Sequence, residues 1–87
     1  MNYDLIADVI GWMGAFLLLT AYALVSFKKL TGDSLIYQLM NVVAGIFLAI
    51  ITYYRGAYPA AFLNTVWTII ALVVIATMMR KHAKSSN

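Results

Sequence analysis

The chain has few of the side chains that catalyse reactions or hold metals. Its 87 residues include no cysteine, one histidine and three carboxylates. The absence of cysteine excludes disulfides and thiolate chemistry. The remaining polar residues form no hydrolytic triad, metal-ligand set or phosphate-binding loop. We therefore expect no enzyme activity, no catalytic residue, no metal and no cofactor.

Charge is scarce as well. Charged residues make up 10% of the chain and hydrophobic residues 64%, with a mean hydropathy of +0.89. In soluble domains about a quarter of the residues are charged. The net charge of +3 does not indicate nucleic-acid binding, because the basic residues flank apolar runs and form no patch. The composition predicts a small membrane protein in contact with the lipid bilayer.

Three apolar segments of bilayer length follow one another along the chain. They cover about residues 6–27, 35–54 and 59–79. Each is close to the roughly 20 residues that cross a bilayer as a helix. The breaks KKLTGDS (28–34) and RGAY (55–58) are short, so neighbouring helices are expected to run antiparallel. The predicted fold class is an all-α membrane protein with three transmembrane helices.

Local signals mark the predicted helix ends. Ser34 or Asp33 can cap the second helix. Pro59 suits the first turn of the third helix, where its missing N–H costs nothing. We expect one domain over residues 1–79, followed by a polar cytoplasmic tail at 80–87 that frays.

The basic residues predict an orientation in the membrane. Five lie in the first loop or after the third helix: Lys28, Lys29, Arg80, Lys81 and Lys84. The opposite side holds only Arg55, which is expected to pair with Asp8. Since basic loops stay in the cytoplasm, the C-terminus is predicted to be cytoplasmic and the N-terminus external. An aromatic belt supports this assignment at the outer boundary: Tyr3, Tyr53, Tyr54 and Tyr58. The acidic N-terminus argues against a cleaved signal peptide.

Polar side chains within the segments are the candidate functional residues. Asn64, Trp67 and Thr68 share one face of the third helix at i, i+3 and i+4. Inside a membrane each polar group needs an interior partner or a water-filled cavity. Asn64 either makes an interhelical hydrogen bond, which contributes about 0.6 to 2 kcal/mol, or binds the hydroxyls of a solute. Trp67 either packs or offers a flat face to a sugar ring.

Two other segments add candidates. Asn41 and Leu48 lie on one face of the second helix with Gln38 and Gly45, and Thr20 lies in the first helix. Three helices enclose little more than their own side chains. A solute path would therefore need a second copy, related by a two-fold axis along the membrane normal.

The chain resembles the SemiSWEET half-transporters of the SWEET and PQ-loop superfamily over about residues 6–79. The resemblance rests on three helices in a short chain, on KKLTGDSL, and on YYRGAYPAAFLN, in which Asn64 matches the family's sugar-contacting asparagine. It implies a parallel homodimer of 3+3 helices around a central path, in a bacterial inner membrane. The chain departs from the family at LTAYAL (19–24), which lacks the Pro-Gln pair, and near Leu48, which stands where the family has a tryptophan.

Two functions follow as hypotheses. The first is facilitative transport of a small neutral solute, a sugar among the candidates, by alternating access. Asn64 would bind the solute, and the path would be lined by Trp67, Thr68, Asn41, Leu48 and Thr20. The second is a non-transporting scaffold or accessory subunit with the same fold, in which Asn64 joins helices.

Overall fold

A computed structural model describes residues 3–85 and the side chains of residues 3–83. It contains three helices, α1 (Tyr3–Ser26), α2 (Leu35–Tyr54) and α3 (Tyr58–Ser85), and no strand within the described residues. Each helix is long and apolar enough to cross a membrane. The all-helical fold with three candidate spans, predicted from hydropathy, is confirmed.

The helix boundaries agree with the predictions except at the two ends of the chain. Ser34 caps α2, since its hydroxyl accepts a hydrogen bond from the Tyr37 N–H at 3.3 Å. α1 begins at Tyr3, before the predicted start at residue 6. α3 continues to Ser85, so residues 80–85 are helical and the prediction of a frayed tail is wrong for them. No glycine or proline interrupts this stretch, and its basic residues suit the negative end of the helix dipole. Residues 86 and 87 lie outside the described part.

α1 ends in a Schellman motif. The Lys29 N–H donates to the Leu24 carbonyl at 2.8 Å, and the Lys28 N–H donates to the Val25 carbonyl at 3.0 Å. This geometry requires a left-handed residue just past the helix. Lys28 takes that position with φ of +62°. A lysine there carries the steric cost that glycine avoids.

α2 ends in the same motif with the residue that the motif prefers. The Ala57 N–H donates to the Thr52 carbonyl at 2.8 Å, and the Gly56 N–H donates to the Tyr53 carbonyl at 3.0 Å. Gly56 has φ of +77°. The two breaks therefore stop their helices by one mechanism, with different residues at the critical position.

The loop between α1 and α2 is held by local polar contacts. The Thr31 hydroxyl donates to the Asp33 carboxylate at 2.6 Å, and the Gln38 amide donates to the Gly32 carbonyl at 2.6 Å. The hydrogen bond from Thr31, with one from the Asp33 backbone, lowers the pKa of Asp33 below its ordinary value. Gln38 thus serves to fasten the loop to the first turns of α2.

α2 is the central helix. In the described residues α1 and α3 each pack against α2 and not against each other. Glycines permit both contacts: Gly14 of α1 lies against Phe47 and Leu48, and Gly45 of α2 lies against Thr68 of α3. Close backbone approach at small residues is how helices associate in lipid. Because α1 and α3 diverge around α2, the bundle has an open cleft along one side.

An ion pair joins the end of α2 to the beginning of α1. The Arg55 guanidinium donates to the Asp8 carboxylate at 2.5 Å and to the Asp4 carbonyl at 3.2 Å. The pairing of Asp8 with Arg55 that the sequence predicts is confirmed. Both side chains are exposed, and such pairs typically contribute no more than about 1 kcal/mol.

Candidate functional site

The cleft between α1 and α3 has a volume of about 490 Å³. Tyr37, Asn41 and Leu48 of α2 form its floor, and Trp67 of α3 forms one side. Its other side is α1, through Ala15, Leu18, Leu19 and Tyr22. No charged side chain lines it. The volume and the mostly apolar lining are typical of sites for small molecules.

One hydrogen-bonded pair supplies the buried polar group of the cleft. The Trp67 indole N–H donates to the Asn41 side-chain oxygen at 3.1 Å, and the Asn41 amide donates to the Tyr37 carbonyl one turn earlier, also at 3.1 Å. Asn41 is 3% exposed, whereas Trp67 is 42% exposed. The Asn41 amide has a second N–H, which makes no hydrogen bond within the described residues. The pair therefore presents one amide donor beside the face of an indole.

Two tyrosines near Asn41 add hydroxyl groups that the sequence predictions did not include. Tyr22 and Tyr37 both line the cleft, and neither hydroxyl makes a hydrogen bond within residues 3–83. A signal for Tyr37 was present in the sequence, because Tyr37, Asn41 and Leu48 share one helical face at i, i+4 and i+11. Tyr22 gave no comparable signal, since its place depends on how α1 packs.

Asn64 lies on α3 outside the residues that line the cleft. It is half-buried on the side of α3 that faces α2, and its carbonyl accepts a hydrogen bond from the Thr68 hydroxyl at 2.8 Å. Its side-chain amide makes no hydrogen bond within residues 3–83. Within the described residues Asn64 therefore makes no interhelical hydrogen bond, which was one of its two predicted roles, and the other, solute binding, stays a prediction.

The other predicted site residues are distributed as follows. Asn41, Leu48 and Trp67 come together in the cleft. Thr68 is buried between α2 and α3, where it packs on Gly45. Thr20 lines a separate groove between α1 and α2. The structure thus brings together three of the predicted residues and places the others elsewhere.

Metal ligation has no evident basis in the described part of the chain. No group of three or more histidine, cysteine, aspartate or glutamate side chains lies close enough to hold an ion there. The chemistry open to the cleft is therefore hydrogen bonding and stacking.

Comparison with known proteins gives one match. A protein-family model, described only as a family, matches residues 7–82. No curated protein and no solved structure matches the chain. The matched region reaches from the first turns of α1 nearly to the end of α3, so it includes every residue of the cleft.

Proposed function

We propose that this chain, which belongs to the family whose model matches residues 7–82, is a transporter that carries a small neutral solute across the bilayer as a homodimer. The proposal follows the resemblance to the SemiSWEET half-transporters. The observation that carries it is the cleft, because a buried amide and an indole stand in an otherwise apolar cavity within the spans.

The lining of the cleft favours a neutral solute with hydroxyl groups. The free Asn41 N–H and the hydroxyls of Tyr22 and Tyr37 can bond to such groups, and the Trp67 ring can stack on an apolar face. A charged solute would find no opposite charge in the cleft, and burying an unpaired charge is costly. The same lack of a carboxylate favours facilitated passage over proton coupling.

A second copy would complete the path. The cleft is open because α1 and α3 do not pack together, so in a monomer its polar groups would face hydrocarbon. Two parallel copies with facing clefts would enclose a polar route along their two-fold axis. The Asn64 amide, which makes no hydrogen bond within residues 3–83, supports such a partner or a solute near α3, since a carboxamide in hydrocarbon costs several kcal/mol, on the order of 4.

We propose that this dimer lies in a bacterial inner membrane. The basic residues of the first loop and of the end of α3 support a cytoplasmic location for both. The Asp8 and Arg55 pair would then lie at the external surface.

Transport by reconstituted protein tests the proposal. Uptake of labelled sugars and polyols would be measured in liposomes with wild type, with Asn41→Leu and with a matched lipid-facing control, Ile46→Leu. We expect uptake above empty liposomes, an approximately tenfold loss in Asn41→Leu because a buried hydrogen-bond partner is missing, and no change in the control. Wild-type uptake equal to that of empty liposomes for every solute would refute the proposal, and full activity in Asn41→Leu would refute the assignment of the solute to the cleft.

A non-transporting scaffold or accessory subunit is the second candidate. The favouring observation is that Asn41 and Trp67 bond to each other within one chain, as residues that only join helices do. In that case Asn41→Leu would lower thermal stability, wild type would show no flux, and a stoichiometric membrane partner would co-purify.

A further inference from the structure

A second groove runs along the outside of α1 and shares no residue with the cleft. It has a volume of about 850 Å³ and lies between α1 and α2. Its lining on α1 extends from Leu5 and Asp8 through Trp12 and Phe16 to Thr20. Asp8 and Thr20 are 12 positions apart in α1, which corresponds to a rise of about 18 Å along the helix. Half of the hydrocarbon core is about 15 Å thick. The groove therefore has the length of one acyl chain in one leaflet.

A charged cup lies beside the N-terminal half of this groove, since its lining on α1 runs from Ala7 to Ala15. It has a volume of about 280 Å³, contains the Asp8 and Arg55 side chains, and shares Asp8 and Trp12 with the groove. Ala7 and Gly11 line it on α1, so little side-chain volume fills it. The cup thus combines both signs of charge with open space at the level where a lipid headgroup would lie.

The ion pair leaves much of its hydrogen-bonding capacity unused. It joins one oxygen of Asp8 to one terminal nitrogen of Arg55. The second Asp8 oxygen and the remaining Arg55 nitrogens make no hydrogen bond within the described residues. The Asp8 side chain is 59% exposed and the Arg55 side chain is 42% exposed, so a ligand can reach both. A carboxylate and a guanidinium are held side by side with free acceptors and donors.

We infer that the cup and the groove bind one phospholipid with a zwitterionic, primary-amine headgroup of the phosphoethanolamine type. Its ammonium donates to Asp8, its phosphate accepts from Arg55, and one acyl chain follows Trp12 and Phe16. Charge complementarity selects this class. An anionic headgroup leaves Asp8 unmatched, and a choline headgroup has no N–H to donate to the carboxylate. Guanidinium groups are well suited to phosphate oxygens. The groove shares no residue with the cleft and the cup shares Ala15 with it, so the inference does not rest on the proposed transport.

Lipid retention by the purified full-length protein tests the inference. Protein in mixed micelles with equimolar phosphatidylethanolamine, phosphatidylcholine and phosphatidylglycerol would be analysed for bound lipid by mass spectrometry. We expect wild type to retain phosphatidylethanolamine over phosphatidylcholine by about tenfold. Asp8→Asn should lose this preference, because the carboxylate that accepts from the ammonium is gone. Arg55→Gln should reduce the retention of both lipids, because both carry the phosphate that Arg55 binds. Asp33→Asn, an exposed carboxylate at the other end of α2, should keep the preference.

A groove variant provides a second measurement. Val43 lines the groove from α2 and is 40% exposed, so Val43→Trp should fill the space and reduce bound lipid of every class. Melting temperatures would verify that each variant is folded. If the ion-pair variants do not fold, Val43→Trp still tests the inference, and the ion-pair variants test it if Val43→Trp does not fold.

Three outcomes would overturn the inference. Lipid retained by wild type in the ratio supplied would mean that the groove holds bulk lipid only. An unchanged preference in Asp8→Asn, together with unchanged total retention in Arg55→Gln, would remove the ion pair from recognition. Displacement of the lipid by an equal concentration of glycerophosphoethanolamine would assign the cup to a soluble zwitterion.

Discussion

The contact between Gly45 and Thr68 predicts a large effect from a single methyl group. A β-carbon added at Gly45 would overlap the Thr68 hydroxyl, and it would lie 3.3 Å from the Thr68 β-carbon and 3.5 Å from the Asn64 carbonyl oxygen. The hydroxyl is held by its hydrogen bond to that same carbonyl. In one of the two other staggered χ1 positions, the methyl of this β-branched residue takes the place of the hydroxyl and leaves the space filled. Gly45→Ala therefore forces α3 away from α2.

The expected cost follows from two opposing terms. Overpacking a well-packed contact costs about 1–3 kcal/mol, and direct overlap places Gly45→Ala near the upper figure. Replacing a helical glycine by alanine returns up to about 1 kcal/mol of conformational entropy. The net expectation is a loss of about 2 kcal/mol in the free energy of unfolding.

Removing the obstruction should rescue the variant. Thr68→Ala alone loses one hydrogen bond and should cost about 1 kcal/mol. Because alanine at 68 has no hydroxyl to overlap, the double variant keeps the gain of up to about 1 kcal/mol from Gly45→Ala, which offsets the lost hydrogen bond. It should therefore have no net cost, against about 3 kcal/mol if the two losses added, and the predicted coupling energy of about 3 kcal/mol is at the top of the range for residues in contact. Unfolding by SDS in mixed micelles, followed by circular dichroism, would measure all three variants.

Gly11→Ala is the matched control on the other helix pair. Its added β-carbon would lie 3.5 Å from the Ile51 side chain, an ordinary contact distance. We therefore expect no loss, and a gain of up to about 1 kcal/mol. Additive losses at Gly45 and Thr68, or equal effects of the two glycine substitutions, would refute the assigned α2–α3 contact.

Three smaller predictions use other local features. Lys28→Gly should stabilise the chain by about 1 kcal/mol and Gly56→Ala should destabilise it by a similar amount, because both positions are left-handed. The same unfolding assay should therefore give changes of opposite sign in the free energy of unfolding, and changes of the same sign would contradict this. Trp67→Phe keeps a ring but removes the interhelical donor, so it should cost about 0.6 to 2 kcal/mol, and an unchanged unfolding curve would contradict the bond. Thr31→Val should raise the pKa of Asp33, observed by NMR titration. Since the folded pKa is depressed, the contribution of Asp33 to stability is present above pH 3.8 and is lost as pH falls through the folded value. The variant should show a weaker dependence, because the backbone hydrogen bond to Asp33 remains.

Hydropathy was sufficient to predict the helices because their lengths are set by the bilayer. The second segment ends at residue 54 in the prediction and at Tyr54 in the structure, where Gly56 supplies a left-handed residue. Hydropathy failed at Ser85 for a physical reason. Hydropathy indicates where a helix leaves the lipid. Residues 80–85 lie beyond the apolar segment, but they retain helical propensity and continue α3.

The site was predicted only in part because a helical face does not specify its neighbour. Asn64, Trp67 and Thr68 all lie on α3, but the adjacent residues Trp67 and Thr68 are about 100° apart around the helix, so they face different neighbours. Trp67 lines the cleft, whereas Thr68 lies in the contact between α2 and α3. Thr20 lies away from the cleft because α1 meets α2 through Gly14, which a sequence with several small residues did not single out.

The polar residues of α2 explain why it lies between the other two helices. Gln38, Asn41 and Gly45 are all buried there, whereas the buried residues of α1 are glycine and alanine alone. A helix with an amide in mid-span needs neighbours on more than one side, since lipid satisfies none of its polar groups. α2 gains them by lying between the other two helices, and the cleft is the gap that this order leaves. A second copy of the chain, as proposed for transport, would have to approach across that gap, where Trp67 and Tyr22 stand at its edges. The helix order therefore links the burial of Asn41 to the face on which a dimer would form.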